Sequence, residues 1–333
     1  MAEPSPDFPQ VQLHVVTGKG GTGKSTVAAA LALALASRGK TVLLCEVEGR
    51  QGVAQMFDVP PLPYEERLLA KASEAGHGDV YALAIEPEAA LLEYLDLYYR
   101  LGRATKALDR FGIIEFATTI APGVRDVLLT GKVYEAANRN SRNKGARRYD
   151  AIVLDAPPTG RIAQFLNVNN ELAGLAKVGP IKSQADSIMT LLRSPRTAIH
   201  LVTVLEEMPV QETIDGIAEL HAADLPVGGV IVNLVRPQDL DESARADLLA
   251  GKADAKGIAG ALATAGLPSD EATVTTLVAE GRDHAERRHL EDEQRAVVEK
   301  AGVPTYELPK LAGGADLAGL YELAADLTEQ GLA

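Results

Sequence analysis

The chain has 333 residues and a formal net charge of −13, a balance that argues against a duplex-DNA binder, which needs a basic face. Its hydrophobic share of 46% suffices for a sizeable core, in one large α/β domain with insertions or in two modest domains. The single cysteine, Cys45, excludes an internal disulfide, a multi-cysteine metal site and an iron–sulfur centre.

In chain order, residues 1–10 hold Pro4, Pro6 and Pro9 and read as a flexible tail, with neither a basic n-region nor an apolar h-region. No run of about 18 apolar residues marks a membrane span. The expectation is a cytoplasmic protein with no nucleic-acid partner and no stable membrane insertion. Residues 11–333 read as one domain.

Val11–Val16 is strand-like, and Val27–Ala36 is alanine-rich and helical. Between them lies Gly18-Lys19-Gly20-Gly21-Thr22-Gly23-Lys24-Ser25-Thr26. Strand, glycine-rich loop and helix in this order make a phosphate-binding P-loop. The glycines let successive N–H groups point inward, and the helix starting near Lys24 adds its positive end. Lys24 suits the β- and γ-phosphates of ATP, and the Ser25 hydroxyl suits Mg²⁺. Lys19 is a second lysine where such a loop needs one.

Thr41–Val47 reads as a buried strand, with Cys45 as a small hydrophobe within it. Val80–Ile85 is a third strand. From Pro87 to Asn138 the spacing turns helical, through Leu91, Leu92, Leu95 and Tyr99 and then Val124, Val127 and Leu128. The basic cluster Arg139, Arg142, Lys144, Arg147 and Arg148 reads as a solvated helix end and loop.

Tyr149–Asp155 is an apolar strand ending in a carboxylate, followed by Ala156-Pro157-Pro158-Thr159-Gly160. After a P-loop, Asp155 reads as the aspartate that holds Mg²⁺, through water or through Ser25. The prolines stiffen the next segment, and Gly160 can hinge while its amide senses the γ-phosphate. Gln164–Leu192 is helical again. Thr197–Leu205 and Val227–Leu234 are strands around a helix, residues 239–300 are helical, Val303–Leu308 is a short strand, and Leu317–Thr328 closes the chain as a helix.

The fold class is α/β: a P-loop NTPase with a mostly parallel sheet flanked by helices, and with an inserted α-helical subdomain at about 87–138 and 164–192. The ligand belongs at the carboxyl ends of the strands. Asn233, ending one of them, offers an acceptor and two donors that match adenine, or it simply closes the strand into a turn.

The run from Lys19 to Ser25 resembles the deviant Walker A motif of the MinD/ParA/nitrogenase-iron-protein class. That resemblance implies a dimer around ATP in which Lys19 reaches the partner's nucleotide. Asp155-Ala-Pro-Pro-Thr-Gly160 is similar to the signature of the ArsA/Get family, the arsenite-pump and tail-anchored-protein-targeting ATPases. Pro122–Asp126, Glu206–Thr213, Val230–Asn233 and Glu307–Pro309 resemble further segments of that family in the same order. The resemblance implies a nucleotide-driven homodimer, or a heterodimer with a paralogous ATPase. It also implies adenine contacts from Asn233, Leu308 and Pro309.

Glu48 falls where that family has the aspartate that positions the attacking water. One extra methylene there raises the alternatives of slow hydrolysis or of a scaffold that binds ATP without turning it over. Arg161 stands where many relatives have histidine. The helical insert is the family's client-binding region, and Leu91, Leu95, Leu128, Leu166, Leu172, Leu175, Ile188 and Leu192 are candidates for a groove that takes an apolar protein segment. A MinD/ParA-type positioning role fits less well, because the tail around Asp316 and Glu322 is acidic rather than basic.

Overall fold

The computed structural model describes residues 6–72, 74, 76–99, 124–139, 146–167 and 180–333. The strands are β1 (Leu13–Gly18), β2 (Val42–Glu46), β3 (Arg67–Ala70), β4 (Val80–Ala84), β5 (Ala151–Asp155), β6 (Thr197–Thr203), β7 (Val227–Val235) and β8 (Thr305–Pro309). They form one sheet in the order β3-β4-β2-β5-β1-β6-β7-β8. The pairings are parallel except β3 on β4.

β1, β2, β4 and β5 are buried along their whole length, as expected for parallel strands covered on both faces. The antiparallel β3 is a strand that the sequence pattern does not mark. It is four residues long and half-exposed at the sheet edge, too short to show a period.

One face is covered by α1 (Lys24–Ser37) and α11 (Leu317–Glu329), which pack on each other and over Val16, Val202, Ile231 and Tyr306. α1 is buried from Val27 through Ala36, and its alanines let sheet and α11 approach from both sides. Short α2 (Gly52–Met56) follows β2.

The other face carries α4 (Val124–Ala137), α5 (Thr159–Leu166), α6 (Pro180–Leu192) and α7 (Glu207–Ala222). α3 (Pro87–Tyr99) packs on α4. Beyond β7 come α8 (Glu242–Leu249), α9 (Ala255–Thr264) and the long α10 (Glu271–Glu299). Asp241, Asp254 and Asp270 cap these three helices, each accepting from the amide three residues on.

The described parts of the expected helical insert share the main core. Leu128, Leu166, Ile188 and Leu192 lie in the same buried cluster as Leu154 and Ile199 of the sheet. They are therefore packing residues and not an open groove. Leu91 is partly buried against that core. The side chain of Leu95, and Leu172 and Leu175, lie outside the described residues, as do Pro122 and Gly123.

Three local expectations need correction. Asp7 and Phe8 are not loose: the Asp7 amide donates to Gly331, Tyr306 donates to the Asp7 carboxylate at 2.5 Å, and Phe8 meets His200 edge-on at 5.3 Å. Arg139 is not solvated either. Its side chain is 6% exposed and pairs with Glu66 at 2.6 Å and Glu135 at 2.9 Å, and Arg147 sits over the Tyr81 ring. Arg142 and Lys144 lie outside the described residues, and Arg148 is exposed. Leu308 is fully buried with Tyr306 beneath α1 and α11, because strand alternation turns both inward. It supports β8 from below and does not face the cleft, whereas Pro309 is exposed at the strand end.

Cys45 is buried as expected, and burial pushes its thiol up to about 12. Among the described residues no helix is long and apolar enough to cross a membrane.

Candidate functional site

The carboxyl ends of β1, β2, β5, β6 and β7 form one edge of the sheet. The P-loop leaves that edge at Gly18. A Cβ on Gly18 would lie 2.1 Å from the Val202 carbonyl oxygen on β6, and its φ of 154° borders on what side chains tolerate. Gly23 has φ 86°, and a Cβ there would lie 2.3 Å from the Asn233 amide nitrogen. Thr22 closes the loop by donating from Oγ1 to the Lys19 carbonyl at 2.9 Å. Gly20 and Gly21 leave open space where a Cβ would stand, which keeps the cradle unobstructed.

α1 begins at Lys24, which is 7% exposed. The Ser25 Oγ donates to Asp155 Oδ2 at 2.6 Å. Asp155 is in register with Val16 on one side and with Glu46 on the other. Burial pushes its carboxyl up to about 6. Glu46 and Glu48 add to the rise, and the Ser25 hydroxyl and Lys24 pull against it. Burial also raises Glu46, opposed by the amides of Gly52, Gln51, Arg50 and Val53.

Glu48 lies on the loop after β2, close enough to bear on Asp155, with Arg50 at 3.7 Å from its carboxylate. Past β5, the Thr17 hydroxyl donates to the Pro157 carbonyl at 2.7 Å, tying the P-loop strand to the Pro-Pro-Thr-Gly segment. Thr159 is buried, Gly160 and Arg161 are exposed, and nothing lies within 4 Å of a Cβ on Gly160.

A cleft of about 410 Å³ opens beside the P-loop between residues 19–22, Met208–Pro209 and Asn233–Arg236. Asn233 is 3% exposed, and its amide donates to the Thr22 carbonyl at 2.9 Å. One donor therefore braces the loop, leaving the carbonyl oxygen and a second N–H for a ligand. Met208 and Leu234 are exposed at the mouth. Arg236 and the buried Arg288 both grip Glu291, at 3.1 and 2.9 Å, which ties the end of β7 to α10. Lys19 forms an ion pair with Glu212 of α7 at 2.7 Å.

Magnesium prefers oxygen donors and keeps several waters. The Ser25 hydroxyl and the Asp155 carboxylate are oxygen donors that fit it, and a Glu46 oxygen near them is buried without a hydrogen-bond partner, open to a water of the ion's shell. Glu46 and Glu212 are the residues that sequence reasoning missed. Glu46 carried a signal, since it ends an apolar strand as Asp155 does.

The anion-transporting ATPase family model matches residues 11–194. The chain is 53% identical to ATPase BagA of Mycobacterium tuberculosis over 322 residues, 97% of this chain and 94% of that one. The chain belongs to the ArsA/Get family of ATPases. It is 26% identical to ATPase GET3 of Kluyveromyces lactis over 68% of this chain and 73% of that protein. It is also 28% identical to putative arsenical pump-driving ATPase 1 of Aquifex aeolicus, over 47% and 38%. Membership makes it an ATP-binding ATPase in the general sense, and the P-loop and Asp155 lie within the matched residues.

Proposed function

We propose that the chain is a Mg²⁺-dependent ATPase whose ATP-bound form is a dimer. One observation carries the ATPase part, while the dimer rests on the resemblance of the run from Lys19 to Ser25: the P-loop, the Ser25–Asp155 pair and the loop bearing Glu48 meet at one edge of the sheet, around a buried Lys24. The amides from Gly20 to Thr26 surround the phosphates, and Lys24 sets its charge against the β- and γ-phosphates. Ser25 would hold Mg²⁺ directly and Asp155 through water; when bound, the ion offsets charge on the phosphoryl oxygens. Glu48 orients the attacking water and accepts its proton. Asn233 and Pro309 face the base.

Lys19 lies at the rim, where a partner's nucleotide would meet it. The partner is a second copy or a paralogous ATPase. Any apolar client belongs to the helical insert, though not to Leu128, Leu166, Ile188 or Leu192, which are core.

A second reading is a slow or non-hydrolysing subunit of a heterodimer. It is favoured by a glutamate at position 48, whose carboxylate has Arg50 as its neighbour. Steady-state ATP hydrolysis beside Lys19→Ala and Asp155→Asn, with mass measured with and without ATP, separates the two. Turnover lost in both variants together with an ATP-dependent dimer supports the first. ATP binding with neither turnover nor dimer supports the second.

A further inference from the structure

Glu46 and Asp155 end neighbouring parallel strands in register. Paired residues project from the same face of the sheet, so both carboxylates leave it on the same side. Glu46 is 3% exposed, and its Oε1 accepts from the Gly52 amide at 3.2 Å. The amides of Arg50, Gln51 and Val53 lie near enough to favour its charged form, without a hydrogen bond to Oε2. The same loop is staked a second time. Gln51 sits at φ 57°, and its side chain accepts from the Leu62 amide at 2.7 Å and donates to the Leu62 carbonyl at 3.1 Å. Residues 47–51, with Glu48 among them, are thus pinned at Glu46 and at Leu62.

The other Glu46 oxygen, Oε2, is buried and has no hydrogen-bond partner. A buried acceptor left unpaired is costly, and native structures carry few of them. Beside Asp155 and Ser25, the donor that suits this oxygen is a water bound to the cation.

We propose that Glu46 is a positioning residue that couples cation binding to the order of the Glu48 loop. Oε1 holds the loop, and Oε2 accepts from a water in the shell of the Mg²⁺ held by Ser25 and Asp155. Glu46 touches neither substrate nor metal. This rests on the ATP–Mg²⁺ reading above and adds to it the residue that links the two parts of the site.

The test uses the full chain, with ATP binding measured by calorimetry in Mg²⁺ and in EDTA. Hydrogen exchange of amides 50–53 is followed under the same conditions. In the wild type, Mg²⁺ strengthens ATP binding and slows exchange at 50–53. Glu46→Gln keeps an acceptor for Gly52 but presents an amide donor to the water shell. It should lose about 10-fold of the Mg²⁺-dependent gain in affinity, as partners of a metal's water shell usually do, and it should lose the Mg²⁺-induced slowing. Affinity in EDTA should stay near wild type. Glu46→Ala should exchange faster at 50–53 even without Mg²⁺; if it does not fold, Glu46→Gln carries the test alone. A Glu46→Gln protein with the wild-type Mg²⁺ gain and slowing overturns the proposal. A wild type that binds no ATP in either condition overturns the functional reading instead, and this one with it.

Discussion

The Ser25 hydroxyl donates to Asp155 at 2.6 Å while burial holds that carboxyl near pH 6. A carboxyl raised from 3.8 ionises at a cost to the folded state. The penalty is absent below about 3.8, grows as pH rises through 6, and reaches up to about 3 kcal/mol at neutral pH. Asp155→Asn removes it and keeps an acceptor for Ser25. The variant should therefore melt higher than wild type at pH 7.5 without nucleotide, have no such advantage at pH 4, and lose Mg²⁺-dependent hydrolysis. Melting curves at the two pH values check the sign, and a neutral-pH destabilisation would refute it.

The Lys19–Glu212 pair is about a third exposed on both sides, so it is worth no more than about 1 kcal/mol. Such a pair holds Lys19 in place within one chain yet releases it at little cost. Glu212→Gln should leave the fold unchanged and strengthen any ATP-dependent dimer by up to about 5-fold. Lys19→Ala should weaken that dimer and reduce turnover. Sedimentation with and without ATP reads both, and a weaker dimer in Glu212→Gln would count against a role for Lys19 across the interface.

Much of this site could be read from the sequence because its signals are local. The P-loop needs strand, glycines and helix in one run, and Asp155 ends an unbroken apolar strand. Tertiary burial gave no such signal. Arg139 looked solvated because its partners, Glu66 and Glu135, come from a distant loop and from the preceding helix turn. Leu308 looked like a ligand contact by resemblance, but alternation along β8 turns it into the core. Glu46 was hidden by its neighbour Glu48: with two carboxylates two residues apart, only the register with Asp155 tells which is buried.

Gly23 and Asn233 meet so closely that position 23 has no room for a side chain. An alanine at 23 would meet the Asn233 amide at 2.3 Å and would also sit at φ 86°. Gly23→Ala should reduce ATP affinity at least 10-fold and destabilise the fold by about 1–3 kcal/mol. Asn233→Ala clears the clash but not the backbone strain, and it removes the brace on Thr22. The double variant should therefore recover only part of the stability. Full recovery in denaturant titrations would show that the clash, and not φ, makes glycine necessary.

His14 and His200 stack at 5.4 Å in the core, with Nδ1 of one 3.1 Å from Nε2 of the other, and both are fully buried. Burial lowers His200 to about 4 and holds His14 well below 6.5. Both are neutral in the folded chain, whereas unfolding frees them to protonate near 6.5. Their contribution is therefore complete above about pH 6.5 and is lost as pH falls from there toward 4, by up to about 3 kcal/mol for His200. The wild type should lose melting temperature steeply between pH 6.5 and 4.5. A His14→Leu/His200→Phe variant has nothing there to protonate and should show a shallower slope over the same window. Carboxylates elsewhere are common to both proteins, so the difference in slope isolates the pair; equal slopes would show that the two rings do not set the acid limit.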